Sequence, residues 1–345
     1  MVQEMMPRML FFDETDHVLG NEQDRAGTRT TTYTNTQLNR AGARHCCGAS
    51  GHVTGGYSVT AAGEFPPPLF LFSSDAKDAE NMAVAEEWIV GMGYTKGKFG
   101  HSEEKLFSPW VAVRNSGSMD TGLFLKYIEQ MTLQLYPQDT LSPTCEFDSE
   151  GNLVKGPVLW ITDTGPGRLA KPDSDYRNEK GETYDEIMER FAKMGIIITG
   201  LLPNSTAVTA VMDELFRAFK NATRAAAQIV YARKIKDNAR QVIEKKKDLA
   251  RRYSKGEKIP PAELKKVNVV VSLDRKDLGE ILYGELDGQG LPHQDSPIAK
   301  HFTPEKINQA LHKVSKYCGV VSDLFEFALT LFIYSSASIH SQKDA

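Results

Sequence analysis

The first regular pattern in the chain is a short apolar run, MLFF at residues 9–12, followed by Asp13, Glu14 and Asp16. A run of that length predicts a buried strand with carboxylates at its C-terminal end. Further on, Val53, Tyr57, Val59 and Ala61 alternate roughly with small or polar residues, and Ala62-Gly63 supplies a turn. Leu69, Phe70, Leu71 and Phe72 then follow Pro66, Pro67 and Pro68. The two segments predict a β-hairpin whose second strand is entered through stiff backbone. Apolar runs at 158–162 (VLWIT, before Asp163), 196–199 and 267–273 predict three more strands.

Helical spacing takes over elsewhere. It predicts helices over 75–94 and over 121–135, where Leu123, Phe124, Tyr127, Ile128 and Met131 share a face. A short amphipathic helix over 183–194 is stopped by Gly195. A long one starts near 207–211 and runs to about Ser254, with Pro260-Pro261 beyond its end. The last, over 303–317, has Thr303 as N-cap and Pro304 at the first helical position. Residues 20–50, 137–156 and 172–182 are polar and predict loops.

The tail, residues 320–339, is largely apolar but carries Asp323 and Glu326. Its uncharged run is shorter than the ~20 residues a spanning helix needs, so no membrane partner is expected. The prediction is a helix docked on the rest of the chain or on a second copy in a homo-oligomer.

Composition narrows the picture only a little. The 345 residues exceed one ordinary domain, and 41% hydrophobic with 25% charged residues suits a globular protein. Four cysteines without a CxxC pair exclude a disulfide scaffold and a common zinc motif. No apolar leader opens the sequence, so an intracellular location is expected. The net charge is −4, which makes any nucleic-acid surface a local patch. Such a patch exists: residues 217–258 hold 14 basic and 4 acidic residues. Arg217, Lys220 and Arg224 recur at helical spacing and are candidate phosphate contacts, with Arg233 and Lys234 further along. Arg233-Lys234 and Lys245-Lys246-Lys247 also fit a weak bipartite nuclear-import pattern. The plainer alternative for the distal half is a solvated charged helix.

The candidate chemistry lies in three aspartates at the edges of regular elements. Asp13 follows the first strand, Asp163 follows VLWIT, and Asp213 opens the long helix. Carboxylates at the carboxyl edge of a sheet stand where α/β proteins collect ligands. Three of them together repel, and hard divalent cations with oxygen ligands supply the counter-charge. Two such ions can clamp the attacking and leaving oxygens of a phosphodiester. The plainer alternative is that each aspartate only shapes a turn.

Four blocks, in order, carry a resemblance: FFDETD, HVTGGYSVTAAGEFPPPLFLF, GPVLWITDTGPGRL and GIIITGLLPNSTAVTAVMDELFRAFKNATR. Their order resembles the DDE superfamily endonuclease domain, the catalytic domain of pogo/mariner-like DNA transposases. The likeness covers about residues 9–230, with a weaker echo in TPEKINQALHKV at 303–314. It implies an α/β, RNase H-like fold, a mixed central sheet flanked by helices. Residues 1–258 would form that catalytic domain, with polar insertions near 20–50 and 172–182, and 259–345 a mostly helical C-terminal extension. The resemblance carries catalytic and metal-binding roles onto Asp13, Asp163 and Asp213, with Mg²⁺ or Mn²⁺ in a two-ion site. It implies a transposase-derived, divalent-metal-dependent DNA endonuclease and strand-transferase core, with DNA as partner and the nucleus as location. The chain departs from the family pattern at Thr164, Arg168, Ala210 and Val211, and lacks the second proline after Leu202. The alternative reading is therefore a domesticated or truncated transposase-derived protein that binds DNA without cutting it.

Overall fold

The computed structural model describes residues 5–18, 52–73, 109–114, 119–163, 175–200, 211–260, 273, 275–284 and 292–317. Six strands form one mixed sheet: β1 (Met9–Val18), β2 (His52–Thr60), β3 (Leu69–Ser73), β4 (Trp110–Arg114), β7 (Val158–Thr162) and β8 (Ile196–Gly200). Their spatial order is β4-β3-β2-β1-β7-β8. The first three are antiparallel neighbours, whereas β4 runs parallel to β3 and β7 and β8 run parallel to β1. A small antiparallel pair, β5 (Glu146–Phe147) and β6 (Leu153–Lys155), lies outside it. The segment 137–156, expected to be loop throughout, therefore contains a hairpin turned by Gly151, whose φ is +86°.

Strand pleat divides the side chains between two faces. One face carries Met9, Phe11, Tyr57, Val59, Phe70, Val111, Leu159 and Ile161. It is covered by α3 (Val211–Ser254), through Val211, Met212, Leu215, Phe216 and Phe219. Behind that helix lie α4 (Arg275–Tyr283), α5 (Pro297–His301) and α6 (Pro304–Tyr317). Leu278, Ile281, Leu282, Ile298, Phe302, Ile307 and Leu311 of these helices join the same apolar cluster. The described part of the C-terminal extension is thus buried against α3 and the sheet.

The opposite face carries Leu10, Phe12, Leu69, Leu71, Trp110, Val158 and Trp160. It is covered by α1 (Thr121–Leu135) and α2 (Tyr184–Met194). Asp120 caps α1 by accepting from the Leu123 N–H at 2.7 Å. Thr183 and Glu186 cap α2 reciprocally, and Gly195 ends it at φ +79°. The Trp160 indole N–H is buried and donates to Thr132 Oγ1 at 2.9 Å, which satisfies a polar atom that burial would otherwise strand.

The first strand differs from its sequence expectation. It does not stop before Asp13 but continues to Val18, paired with β2 over nine residues from Leu10 to Val18. Thr15 and His17 turn inward on the α3 side although the text DETDHV reads as polar. Pairing with β7 is shorter and ends at Phe11–Ile161. The helix expected over 75–94, the strand over 267–273, the polar segment 20–50 and the apolar tail 320–339 lie outside the described residues, Leu273 excepted.

Candidate functional site

The β1–β7 register decides where the first two aspartates stand. Met9 pairs with Leu159, Leu10 with Trp160 and Phe11 with Ile161. Asp13 and Asp163 each lie two residues past the last of those pairs, Asp13 within β1 and Asp163 one residue beyond the end of β7. Side chains two residues apart on a strand share a face, so Asp13 belongs with Phe11 and Met9 on the face covered by α3. Asp163 follows Ile161 and Leu159 of that same face. Both residues are half-buried. The Glu14 backbone N–H donates to Asp13 Oδ1 at 2.7 Å and holds that carboxylate close to its own strand.

Asp213 comes to the same end of the face on α3. Val211, Met212 and Leu215 are buried and anchor the first turn against the sheet. Asp213 and Glu214 are the acids of that turn, where the helix dipole ordinarily favours a carboxylate. The Asp213 carboxyl is nevertheless pushed above its usual range, first by partial loss of hydration, although the residue as a whole is exposed. Lys220 counters the rise, Asp163 and Glu214 add to it as like charges, and Arg217 counters it again. Asp163 thus lies within electrostatic reach of Asp213.

Among the described residues no group of three or more His, Cys, Asp or Glu side chains is drawn together closely enough to hold a metal ion. Asp13 lies in β1, Asp163 follows β7, and Asp213 stands in the first turn of the helix that covers the sheet face of Phe11 and Ile161. Residues 164–174, which follow Asp163, and 201–210, which precede α3, lie outside the described residues.

The candidate phosphate contacts divide by their surroundings. Lys220 is exposed and its ammonium lies 5.5 Å from the Phe216 ring centroid, on the Asp213 side of α3. Arg217 is exposed and 3.6 Å from Glu214, which also holds Lys313 of α6. Arg224 is exposed and donates to Asn221 Oδ1 at 3.2 Å. Arg233 is paired with Glu280 and Lys234 with Asp277, both acids belonging to α4. Lys220, Arg217 and Arg224 are thus the cations of the set that remain at the surface near the aspartates, whereas Arg233 and Lys234 fasten α3 to α4.

Two residues beside this site were not singled out by the sequence. Tyr57 is the cross-strand partner of Asp13, and its ring leans along the sheet over Gly55. Its hydroxyl meets His17 Nε2 at 2.7 Å, both groups being buried. Rings of Phe65, Phe70, Phe216, Phe219 and Phe302 surround the tyrosine at centroid distances of 5.3–6.4 Å. Burial pushes the phenol well above its ordinary pKa. The signal for this arrangement is the glycine pair in HVTGGYS. A Cβ on Gly55 would stand 2.6 Å from Tyr57 Cε2 and 2.8 Å from His17 Nε2. On the opposite face, a Cβ on Gly56 would stand 3.1 Å from the Phe12 ring. Adjacent glycines leave room for one ring on each side of the sheet.

Comparison of the chain with family models, with curated proteins and with solved structures finds no match.

Proposed function

We propose that the chain is a divalent-metal-dependent DNA endonuclease core of the transposase kind, with Asp13, Asp163 and Asp213 as its carboxylates. The observation that carries the reading is register: Asp13 and Asp163 stand two residues past the last β1–β7 pair, beneath the helix that carries Asp213. The sheet supports an RNase H-like fold, since an antiparallel β1–β2–β3 meander is extended on its other side by strands parallel to β1. The all-oxygen donor set fits Mg²⁺ or Mn²⁺, and the Asp213 carboxyl is raised chiefly by partial loss of hydration, with Asp163 and Glu214 adding to the rise. Two such ions bound there would supply the Lewis acidity that phosphodiester hydrolysis needs.

The chain's own residues then have distinct tasks. Asp13 and Asp163 would hold the ions, with Asp213 contributing from α3. The Glu14 N–H keeps Asp13 oriented. Lys220, with Arg217 beside it, offers positive charge to the phosphate approaching along α3. The freed 3′-hydroxyl is the nucleophile for strand transfer, and the nucleus is the compartment that suits such a substrate.

A second reading is a DNA-binding relative that does not cut. The absence of a gathered ligand trio among the described residues favours it, as do Thr164 and Arg168 beyond the second aspartate. Nicking of supercoiled plasmid by the purified full chain separates the two. The nuclease reading expects nicking with Mn²⁺ or Mg²⁺ that stops in Asp163→Ala. It also expects millimolar-scale Mn²⁺ to raise the melting temperature through mass action, and Asp13→Asn to remove most of that rise. No nicking and no metal-dependent stabilisation would leave the binding protein as the answer.

A further inference from the structure

The cations of α3 are not all alike. Several beside the core are ion-paired: Arg217 shares Glu214 with Lys313 of α6, Arg233 meets Glu280, and Lys234 meets Asp277. The last buried residue of the helix is Val230, yet the helix continues to Ser254. At 1.5 Å per residue that leaves an arm about 36 Å long. A helix without a buried stripe needs either a partner or a ladder of side-chain pairs. Within the arm, among the described residues, the only ion pair inside the helix is Arg240–Asp237, at 4.0 Å.

Lys236, Arg240, Lys247 and Arg251 are all exposed on this arm. At 3.6 residues per turn they fall within about 60° of one another around the helix axis and extend about 22 Å along it. Asp237, Glu244 and Asp248 form a neighbouring row, joined to the basic one by that single 4.0 Å contact. Lys236, Lys247 and Arg251 have no ion partner among the described residues. Ile243, 52% exposed, sits between Arg240 and Lys247 on the basic side.

We propose that this stripe docks the sugar–phosphate backbone of duplex DNA along the distal half of α3. The inference rests on the DNA reading above and deepens it. It moves the main polyanion contact from Arg233 and Lys234 to the distal arm. Charge complementarity identifies the occupant: about 22 Å of duplex axis presents roughly six phosphates on each strand to four exposed cations. Contacts of this kind carry no sequence information and are steeply salt-dependent.

The test measures binding of the full chain to a labelled mixed-sequence duplex over a salt series. The variant is Lys236→Gln, Arg240→Gln, Lys247→Gln and Arg251→Gln combined, and Lys155→Gln with Lys193→Gln is the control. The expected result is at least tenfold weaker binding at low salt. The slope of log affinity against log salt should fall by up to about 3.6, with the control unchanged. Circular dichroism and melting temperature establish that helix and core persist. A lost helix is answered by Lys236→Arg with Lys247→Arg, which must retain the wild-type slope. Unchanged affinity and slope in the neutralised variant, no DNA binding by the unaltered chain, or a change in oligomeric mass instead of DNA affinity overturns the proposal. Nicking keeps the two readings apart: if it persists in wild type and is lost in Asp163→Ala while the arm variant binds normally, only the arm proposal fails.

Discussion

Gly55→Ala puts the packing beside Asp13 to a direct test. The added methyl would lie 2.6 Å from Tyr57 Cε2, 2.8 Å from His17 Nε2 and 2.9 Å from Tyr57 Oη. Restoring ordinary contact requires a retreat of roughly 1 Å. The tyrosine has little room to retreat, because Phe302 stacks on it at 5.4 Å and Phe219 meets it edge-on at 5.3 Å. Overpacking of this kind costs about 1–3 kcal/mol. Forcing the buried Tyr57–His17 hydrogen bond apart costs about 1–3 kcal/mol more. A destabilisation of about 2–6 kcal/mol is therefore expected from equilibrium urea unfolding. Gly56→Ala, whose methyl would lie 3.1 Å from the Phe12 ring and 3.6 Å from Leu69 Cβ, should cost less. Gly55→Ala combined with Tyr57→Phe removes one of the three close contacts and should be less than additive. A midpoint shift for Gly55→Ala no larger than that for Gly56→Ala would refute the reasoning.

Two further changes bear on the site and its frame. Asp213→Asn should stabilise the metal-free protein at neutral pH, because the folded state raises this carboxyl and so disfavours its charge. A raised carboxyl contributes stability at pH below its unfolded value and loses it as pH rises through the folded value. The gain should therefore shrink toward zero in acid, and Mn²⁺ should stabilise wild type more than the variant; melting curves against pH with and without Mn²⁺ check both. Gly195→Ala places a Cβ 2.2 Å from the Ser142 carbonyl oxygen at a φ of +79° and should destabilise strongly, with loss of the α2 stop visible in hydrogen exchange.

Local patterns carried much of the architecture. The apolar runs at 69–72, 158–162 and 196–199 and the caps of α2 and α6 all lie in contiguous sequence, where period and cap chemistry can be read directly. The second half of β1 was hidden because its inward positions are Thr15 and His17, which look polar until Tyr57 is seen beside them. Helix α4 was hidden because Asp277 and Glu280 break its apolar face, and both belong there through Lys234 and Arg233 of α3. Those partners stand 43 and 47 residues away, beyond any local pattern. The candidate aspartates were legible as residue types at element edges. That Asp13 and Asp163 stand level, each two residues past the last β1–β7 pair, depends on the β1–β7 register, which joins residues 150 apart and has no trace in either strand alone.

The unequal burial of α3 also has a mechanical side. Its first part, from Val211 to Lys234, is held by side chains in the core and by the ion pairs to α4, and its remainder has no buried side chain among the described residues. Helices curve with radii of about 60–100 Å, so the roughly 30 Å from Lys234 to Ser254 can bend by about 6 Å at its tip without a kink. The clamped root does not share that movement. Compliance at the tip and stiffness at Asp213 are thus built into one continuous rod, so that whatever the arm grips can shift by more than a base-pair step while the carboxylate at the root stays in place.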